Sequence, residues 1–407
     1  MPDILRISLV FVLIVALLRK KWNIGYVLLI ASAALSAMHL MPPAETLIVV
    51  RDAFTAGVTI KLTIALTSIK VFELVLREKN ILSEMMNASK GMLKNKKAVI
   101  ISMPILIGML PSIGGAYFSA PMVDESTKGV RLKPEEKGFI NYWYRHPWEY
   151  ILPLYPGLVL ASAVSGIGLR RLILANLAYA VMLAVTGYFF GLRKIKGGYP
   201  ESRRVSKKGL LNFIPIAVVL ALVVGLRVEL HYALLASLAA LFAFFRYRPK
   251  DILRALRHGL SADVIVLIAG VMLFKEVMEA SGSVKNISDY FILKGIPLVP
   301  MLFLLPFITG LLTGITVGFV GSTFPLLLSL MAGQSVTGVH ALGAVSFAFA
   351  SGFMGVMLSP LHVCFVLTKE YFRADMWGMY KKVIPASLII FATALAEYFI
   401  LSRGGMQ

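Results

Sequence analysis

Long apolar runs recur along the whole chain and give the first prediction. A helix that crosses a lipid bilayer needs about 20 mostly apolar residues, and ten runs come near that length. They predict membrane-spanning helices at residues 3–19, 25–41, 57–76, 139–167, 169–192, 209–226, 231–246, 261–279, 336–368 and 383–402. None of the polar segments between these runs is long enough to form a separate soluble domain.

Two more apolar stretches, residues 98–122 and 298–330, are interrupted by glycine, proline and small polar residues. Interrupted backbone is tolerated inside a membrane only where it is buried in protein or lines a water-filled cavity. We predict that each stretch forms a re-entrant hairpin, in which two helices enter the membrane and return to the same side.

The composition also indicates a membrane protein. The sequence is 58% apolar and only 15% charged, with a mean hydropathy of +0.80, whereas soluble domains carry roughly 25% charged residues. A soluble protein could not cover its surface with so few polar groups. Cys364 is the only cysteine, which excludes a scaffold held by disulfide bonds.

The distribution of the 41 lysines and arginines predicts the topology. If the N-terminus lies outside and both interrupted stretches are re-entrant, 30 of them fall in cytoplasmic loops and 8 in external segments. This is the bias that the positive-inside rule expects. We predict a multi-pass protein of the cell membrane with both termini outside. The basic clusters lie in short loops without interleaved aromatic residues, so nucleic acid is not an expected partner.

The two halves of the sequence resemble each other at a shift of about 202–207 residues, since 104–110 matches 306–312. Each half holds five spans and one interrupted stretch, and because five is odd, the second half begins on the opposite face. The prediction is an all-α polytopic membrane protein of two inverted-topology repeats, residues 1–204 and 205–407, within one membrane domain. Each repeat has five spans, one of them broken, and a re-entrant helical hairpin.

Three segments carry a resemblance to a known family: LPSIGGAYFSAPMVDE at 110–125, YRHPWEYILPLYPG at 144–157 and GVMLSPLHVCFVLTKEYF at 355–372. Over essentially the whole chain, the sequence resembles an uncharacterised prokaryotic integral membrane family, domain of unknown function 401. It is also similar to the ion transporter superfamily of gluconate, citrate, dicarboxylate and arsenite permeases. That resemblance implies that the hairpin tips and broken spans bind an anionic substrate and a coupling ion. Instead of the superfamily's Ser-Asn-Thr motif, the chain has PSIGG at 111–115 and TGIT at 313–316.

The hairpin tips are the first candidates for a binding site. Glycine lets the chain reverse sharply and approach a ligand closely, and the amides that begin a helix attract anions. We predict that substrate and ion contact Ser112, Gly114, Gly115 and Ser119 in the first hairpin and Thr313, Gly314, Thr316, Ser322 and Thr323 in the second. The alternative is that the tips are tight turns whose hydroxyl groups form hydrogen bonds within the packed helices.

Prolines lie midway through two of the predicted spans, at Pro153 and Pro156 in the first half and at Ser359-Pro360 in the second. They predict helices that are broken beside the substrate, or helices that are only kinked. His362 follows the second break and is a candidate for proton coupling. With no other histidine nearby it is a poor metal ligand, and no metal site is predicted.

Charged residues within a membrane are costly and often functional. Lys70 and Glu73 lie one helical turn apart, and Lys275 and Glu276 are adjacent in the counterpart span. These carboxylates either carry coupling protons or form structural ion pairs with the lysines.

Three further polar residues, Arg145, His146 and Glu149, open the span at 139–167. We expect them at the membrane interface, where they would act as anchors or as a gate. Arg145 and Glu149 are four residues apart, a spacing at which they can pair.

No phosphate-binding loop and no HExxH, CxxC or GxSxG motif occurs, so the chain is not expected to be an enzyme. We predict a secondary active transporter of a small organic or inorganic anion, coupled to a proton or sodium gradient and without another cofactor. Its partners are the anion and the lipid bilayer, and a homodimer is an open alternative to a monomer. The rival hypothesis is a non-enzymatic membrane protein that handles lipid or has a structural role without ion-coupled transport.

Overall fold

The computed structural model is helical over the part of the chain that it describes, and it contains no β-strand there. It describes residues 3–81, 83–85, 88, 95–111, 115–196, 211–283, 286, 289–290, 293–295, 297–334, 336 and 338–404. For these residues the all-α prediction is confirmed.

The first half contains eleven α-helices among the described residues. They are α1 Asp3–Arg19, α2 Ile24–Met38, α3 Pro43–Thr55, α4 Gly57–Glu78, α5 Lys96–Gly108, α6 Gly115–Ser126, α7 Pro134–Trp143, α8 Trp148–Ile151, α9 Pro156–Ser165, α10 Leu169–Ala175 and α11 Leu177–Gly187. A π-helical turn at Tyr188–Leu192 extends α11.

The second half has a similar order of elements. Its helices are α12 Ile214–Leu220, α13 Leu230–Phe244, α14 Pro249–Gly259, α15 Ala262–Ala280, α16 Leu298–Thr313, α17 Thr316–Gly333, α18 Gly338–Leu358, α19 Val363–Phe372 and α20 Met376–Gly404. Another π-helical turn, at Ala221–Gly225, follows α12.

Three helical segments of the described residues are long and apolar enough to cross a membrane: Leu169–Leu192, His340–Phe372 and Met376–Ser402. The second of them includes α18 and α19 with the short break between them. Large apolar side chains also lie on the outside of the molecule, such as Val12 at 62% exposure and Ile400 at 69%. Such surfaces are unfavourable in water and suit contact with lipid. These features agree with the membrane protein that the composition predicts.

The core forms where helices from both halves pack together. α16 packs along α18, and α18 packs along α20. α2 of the first half packs closely against α15 of the second, and α9 packs against α17. The two halves of the chain therefore share an extended apolar interior.

The predicted broken span at 139–167 is divided among α7, α8 and α9. Proline has no amide hydrogen to continue a helix but fits its beginning. Accordingly Pro147 immediately precedes α8, Pro153 lies between α8 and α9, and Pro156 is the first residue of α9.

Two helices, α3 and α14, occupy segments for which no helix was predicted. Both begin at a proline and carry charged side chains, so a search for long apolar runs passes over them.

Candidate functional site

A group of polar side chains lies where the broken helices of the two halves meet. The first half leaves the helical conformation at residues 144–147 and 152–155, on either side of the short helix α8, and the second half at 359–362. We call residues 144–155 the first break and residues 359–362 the second break. Backbone groups that are freed at helix ends need polar partners. The side chains at this meeting point form what we call the central polar cluster: Arg145, His146, Glu149, Thr316, His362 and Cys364.

Two histidines form the centre of the cluster. The Nε2 atoms of His146 and His362 lie 3.2 Å apart, although the residues are 216 positions apart in the sequence. His146 is completely buried, and His362 is only 6% exposed. The histidine pair therefore joins the break of the first half to the break of the second.

The surroundings of His146 determine its tautomer. Its Nδ1 lies 2.6 Å from the carbonyl oxygen of Tyr142. A carbonyl oxygen can only accept a hydrogen bond, so Nδ1 must carry the hydrogen. In the neutral imidazole, Nε2 then presents a lone pair. That lone pair faces His362, where it can accept a hydrogen bond or bind a cation.

Glu149 connects the second hairpin to the first break. Thr316, the first residue of α17, donates a hydrogen bond of 2.7 Å to Oε2 of Glu149. The other carboxylate oxygen, Oε1, lies 3.8 Å from Nε2 of His146. One carboxylate thus contacts both the hairpin and the histidine pair.

Gly314 gives the second hairpin its sharp turn between α16 and α17. Its φ of +66° is in the left-handed region, and a Cβ at this position would lie 2.8 Å from the backbone nitrogen of His362. A residue with a side chain would be strained by the backbone angle and would also collide with the second break. The tip of the second hairpin therefore lies directly against His362.

Arg145 extends from the first break to the first hairpin and is only 3% exposed. A Cβ on Gly115, at the start of α6, would lie 2.2 Å from a guanidinium nitrogen of Arg145. The beginning of a helix itself carries partial positive charge. Two positive elements thus meet at one buried point, and this arrangement favours a negatively charged group there.

Most of the predicted hydroxyl ligands form hydrogen bonds inside their own helices. The donors are Ser119 in α6, Thr313 in α16, and Ser322 and Thr323 in α17, and each donates to a carbonyl three or four residues earlier. Thr316 is the exception, because it donates to Glu149. The predicted ligands Ser112 and Gly114 lie outside the described residues.

The prolines predicted to break helices do lie at interruptions. Pro153 is in the first break, and Pro156 begins α9 immediately after it. Ser359 and Pro360 lie in the second break, where the Ser359 Oγ accepts a hydrogen bond of 3.2 Å from the amide of Leu361. The second break is therefore a turn with its own internal hydrogen bond, directly before His362.

The candidate coupling residues form ion pairs near the ends of two helices. Glu73 pairs with Arg77 at 2.5 Å, and Lys70 donates to the hydroxyl of Ser261 at 2.8 Å. Lys275 lies 3.1 Å from Glu276 and 2.9 Å from Glu279. Both carboxylates have a basic partner on their own helix, which favours structural ion pairs, although the partner of Glu73 is Arg77 rather than the predicted Lys70.

The surroundings of the polar residues in the broken spans differ from what the sequence indicates. Arg145 and His146 are buried in the protein, and Glu149 contacts Thr316 there, while their role as anchors or as a gate stays a prediction. The reason is that α7 begins at Pro134 and is already buried from Gly138 to its end, so the residues after it lie within the bundle. His362 is also not isolated, because His146 is its neighbour.

Cys364 was not predicted to belong to the site. Its thiol and the two histidines bring their ligand atoms within 4.8 Å of one another. The spacing His362-Val363-Cys364 directly after a proline break was the available signal. This spacing is a weak signal without His146, which comes from the other half of the chain.

A cavity of about 810 Å³ lies beside α9, on the side that the charge bias predicts to be external. Its charged and titratable lining residues are Lys61, Arg170, Arg171, Arg227, Glu229 and His231. Lys61 lies 2.7 Å from Glu229, and its hydrogen bond lowers the pKa of that carboxyl below the ordinary value. The three arginines leave the wall of the cavity predominantly basic.

The helix α9 connects this cavity with the central polar cluster. Val159 and Ser162 of α9 line the cavity. Gly157, at the start of the same helix, packs so closely on Thr316 that a Cβ would lie 2.6 Å from the threonine Cβ. A movement of α9 would therefore affect both places.

These features together define an all-helical protein with membrane-compatible helices and a buried polar cluster at its helix breaks. The family model described as "Protein of unknown function (DUF401)" matches residues 4–401, and the chain belongs to this family. The comparison with curated proteins finds no match.

Proposed function

We propose that the protein is a secondary active transporter that moves a small organic or inorganic anion, coupled to a proton or sodium gradient. One observation carries the proposal: the turn at Gly314 brings the second hairpin against His362, while Thr316 bonds to Glu149 of the first break. Interrupted helices with polar groups at the middle of a bundle are the usual substrate and ion sites of secondary transporters. The resemblance to the ion transporter superfamily that we infer from the sequence implies the same combination of hairpin tips and broken spans.

The backbone supports our inference that the two halves are repeats. L-residues rarely adopt a positive φ, yet such positions recur at similar places in both halves. The pairs are Lys21 and Arg227, Leu40 and Arg246, Asn80 and Gly282, and Gly166 and Arg373. Their separations, 202 to 207 residues, equal the shift found in the sequence. With an odd number of spans in each half, we infer that the repeats are inverted.

A pair of close contacts supports the same inference. A Cβ on Gly108 would lie 2.2 Å from the carbonyl oxygen of Arg145, and one on Gly310 would lie 2.2 Å from that of Gly352. Gly310 and Gly352 follow Gly108 and Arg145 by 202 and 207 positions. Each hairpin thus packs against the broken helix of its own half in the same way.

Helix length supports the re-entrant form of the first hairpin. At 1.5 Å per residue, the 13 residues of α5 and the 12 of α6 measure about 20 Å each. The apolar core of a bilayer is about 30 Å thick. These two helices are the shortest to fill one of the predicted membrane stretches as a side-by-side pair, and this agrees with a hairpin that enters the membrane and returns.

The electrostatics support an anion as the substrate. The cavity beside α9 has a basic wall on the predicted outer side, where it would raise the local concentration of anions. Arg145 then offers a buried positive charge next to the start of α6. The anion would pass from the cavity to the cluster when α9 and the hairpins move relative to each other.

Uptake into proteoliposomes tests the proposal. The purified protein is first screened for thermal stabilisation by small carboxylates and oxyanions, with and without sodium, because a ligand that binds the folded state raises its stability. Uptake of the anion that stabilises best is then measured under an imposed proton or sodium gradient. Gradient-driven accumulation is the expected result.

A matched pair of variants links that activity to the site. Thr316→Val removes the hydrogen bond to Glu149, whereas Thr323→Val removes only a bond within α17. Uptake should fall at least tenfold in the first variant and change less than twofold in the second. Absence of uptake and of anion stabilisation would instead favour a protein that handles lipid or has a structural role.

A further inference from the structure

We propose that His146, His362 and Cys364 bind a divalent transition-metal ion of the zinc class. Their ligand atoms lie within 4.8 Å of one another inside the protein. The two histidines come from different halves of the chain, so the ion would hold the two helix breaks together. The proposal concerns binding of a metal ion and does not depend on whether the protein is a transporter.

The distances fit chelation. A tetrahedral zinc ion has Zn–N bonds of about 2.0–2.1 Å, which puts two ligand nitrogens about 3.3 Å apart. The Nε2 atoms of His146 and His362 are 3.2 Å apart. The sulfur of Cys364 needs to approach the nitrogens by only about 1 Å, since a tetrahedral N–S separation is about 3.6 Å. The two histidine nitrogens, which come from different halves of the chain, are thus already at the separation that zinc binding needs.

The hydrogen bonds of the histidines also fit. The Nδ1 hydrogen of His146 points to the Tyr142 carbonyl, and metal-binding histidines usually donate their second ring nitrogen in this way. Nε2 of His146 is therefore a lone-pair donor before any metal arrives. The bond between the two histidines uses the Nε2 hydrogen of His362. The neutral ring of His362 carries only this one hydrogen, so a metal ion at Nε2 requires it to move to Nδ1.

The donor set favours zinc, cobalt or copper over magnesium and calcium. Two imidazoles and a thiolate are nitrogen and sulfur ligands, which suit the former ions, whereas magnesium and calcium prefer oxygen. Oε1 of Glu149, 3.8 Å from Nε2 of His146, is available as the fourth ligand. A divalent ion with one thiolate and one carboxylate has no net charge. This neutrality reduces the cost of a buried site and its repulsion by the nearby Arg145.

Cobalt binding to the full chain in detergent, purified without a polyhistidine tag, tests the proposal. Tetrahedral Co²⁺ with a thiolate ligand should give intense visible bands and a near-ultraviolet thiolate-to-cobalt band. Addition of Zn²⁺ should abolish both, whereas Mg²⁺ should not. Zinc content measured after dialysis should approach one ion per chain.

Variants identify the ligands. Cys364→Ser should remove the near-ultraviolet band, and His362→Gln should weaken cobalt binding at least tenfold. His340→Gln is the matched control, because His340 contacts Tyr398 and not the cluster. The elution volume and helical circular dichroism of each variant verify its fold. Absence of cobalt bands in the wild type, or bands that persist unchanged in both ligand variants, would overturn the proposal.

Discussion

The most informative substitution is Gly314→Ala, because a second glycine separates its two effects. Gly314 and Gly166 have nearly the same left-handed conformation, with φ of +66° and +70°. An added Cβ at Gly166 meets nothing within 4 Å, whereas one at Gly314 lies 2.8 Å from the nitrogen and 3.0 Å from the Cα of His362. Alanine should therefore cause backbone strain at both positions and a collision only at Gly314.

The expected magnitudes follow from these contacts. Left-handed strain costs roughly 1–2 kcal/mol for a residue with a side chain, which is the full effect expected for Gly166→Ala. Overpacking against the rigid backbone of the second break adds about 1–3 kcal/mol for Gly314→Ala. We therefore expect Gly314→Ala to lower the free energy of unfolding by about twice as much as Gly166→Ala does.

Thermal unfolding in detergent, followed by tryptophan fluorescence at one scan rate, measures the difference. Gly314→Ala should have the lower Tm of the two variants. Because its Cβ displaces His362, it should also weaken the binding of any ligand of the central polar cluster, whereas Gly166→Ala should not. Equal Tm values together with wild-type binding would refute the close approach of the second hairpin to the second break.

Two more predictions concern topology and charge. Lys96→Cys and Lys133→Cys are made singly in a chain that carries Cys364→Ser. Each new cysteine should react only with a reagent on the cytoplasmic side. External labelling of one of them would mean that the first hairpin spans the membrane. Glu73→Gln and Glu276→Gln should leave the gradient dependence of uptake unchanged. Each should lower the free energy of unfolding by less than about 1 kcal/mol, because both carboxylates are in partly exposed ion pairs. Loss of gradient dependence in either variant would make that carboxylate a coupling group.

The apolar pattern predicts much of the helical framework. The run at residues 3–19 coincides with α1, and the runs at 25–41 and 57–76 lie close to α2 and α4. The prolines at 153 and 360 also mark real interruptions. These features can be predicted because hydrophobic length and the missing proline amide act locally along the chain.

The composition of the site is less predictable, because it depends on which helices meet. Ser322 and Thr323 look like ligands in the sequence, but each has a carbonyl of its own helix within reach and bonds to it. Arg145 and His146 look like interface residues, because the apolar run around them begins only a few positions earlier. Only the packing of α7 inside the bundle shows that they are buried.

The central polar cluster cannot form in either half alone. Arg145, His146 and Glu149 come from the first half, whereas Thr316, His362 and Cys364 come from the second. The bond between Thr316 and Glu149 connects the second hairpin to the first break, so a movement of one relative to the other must break it. A ligand that contacts both halves binds best when the hairpin and the break are together, and it therefore shifts the protein toward that arrangement. In the proposed transporter, occupancy of the site would therefore be coupled to the relative position of the two halves, as a conformational cycle requires.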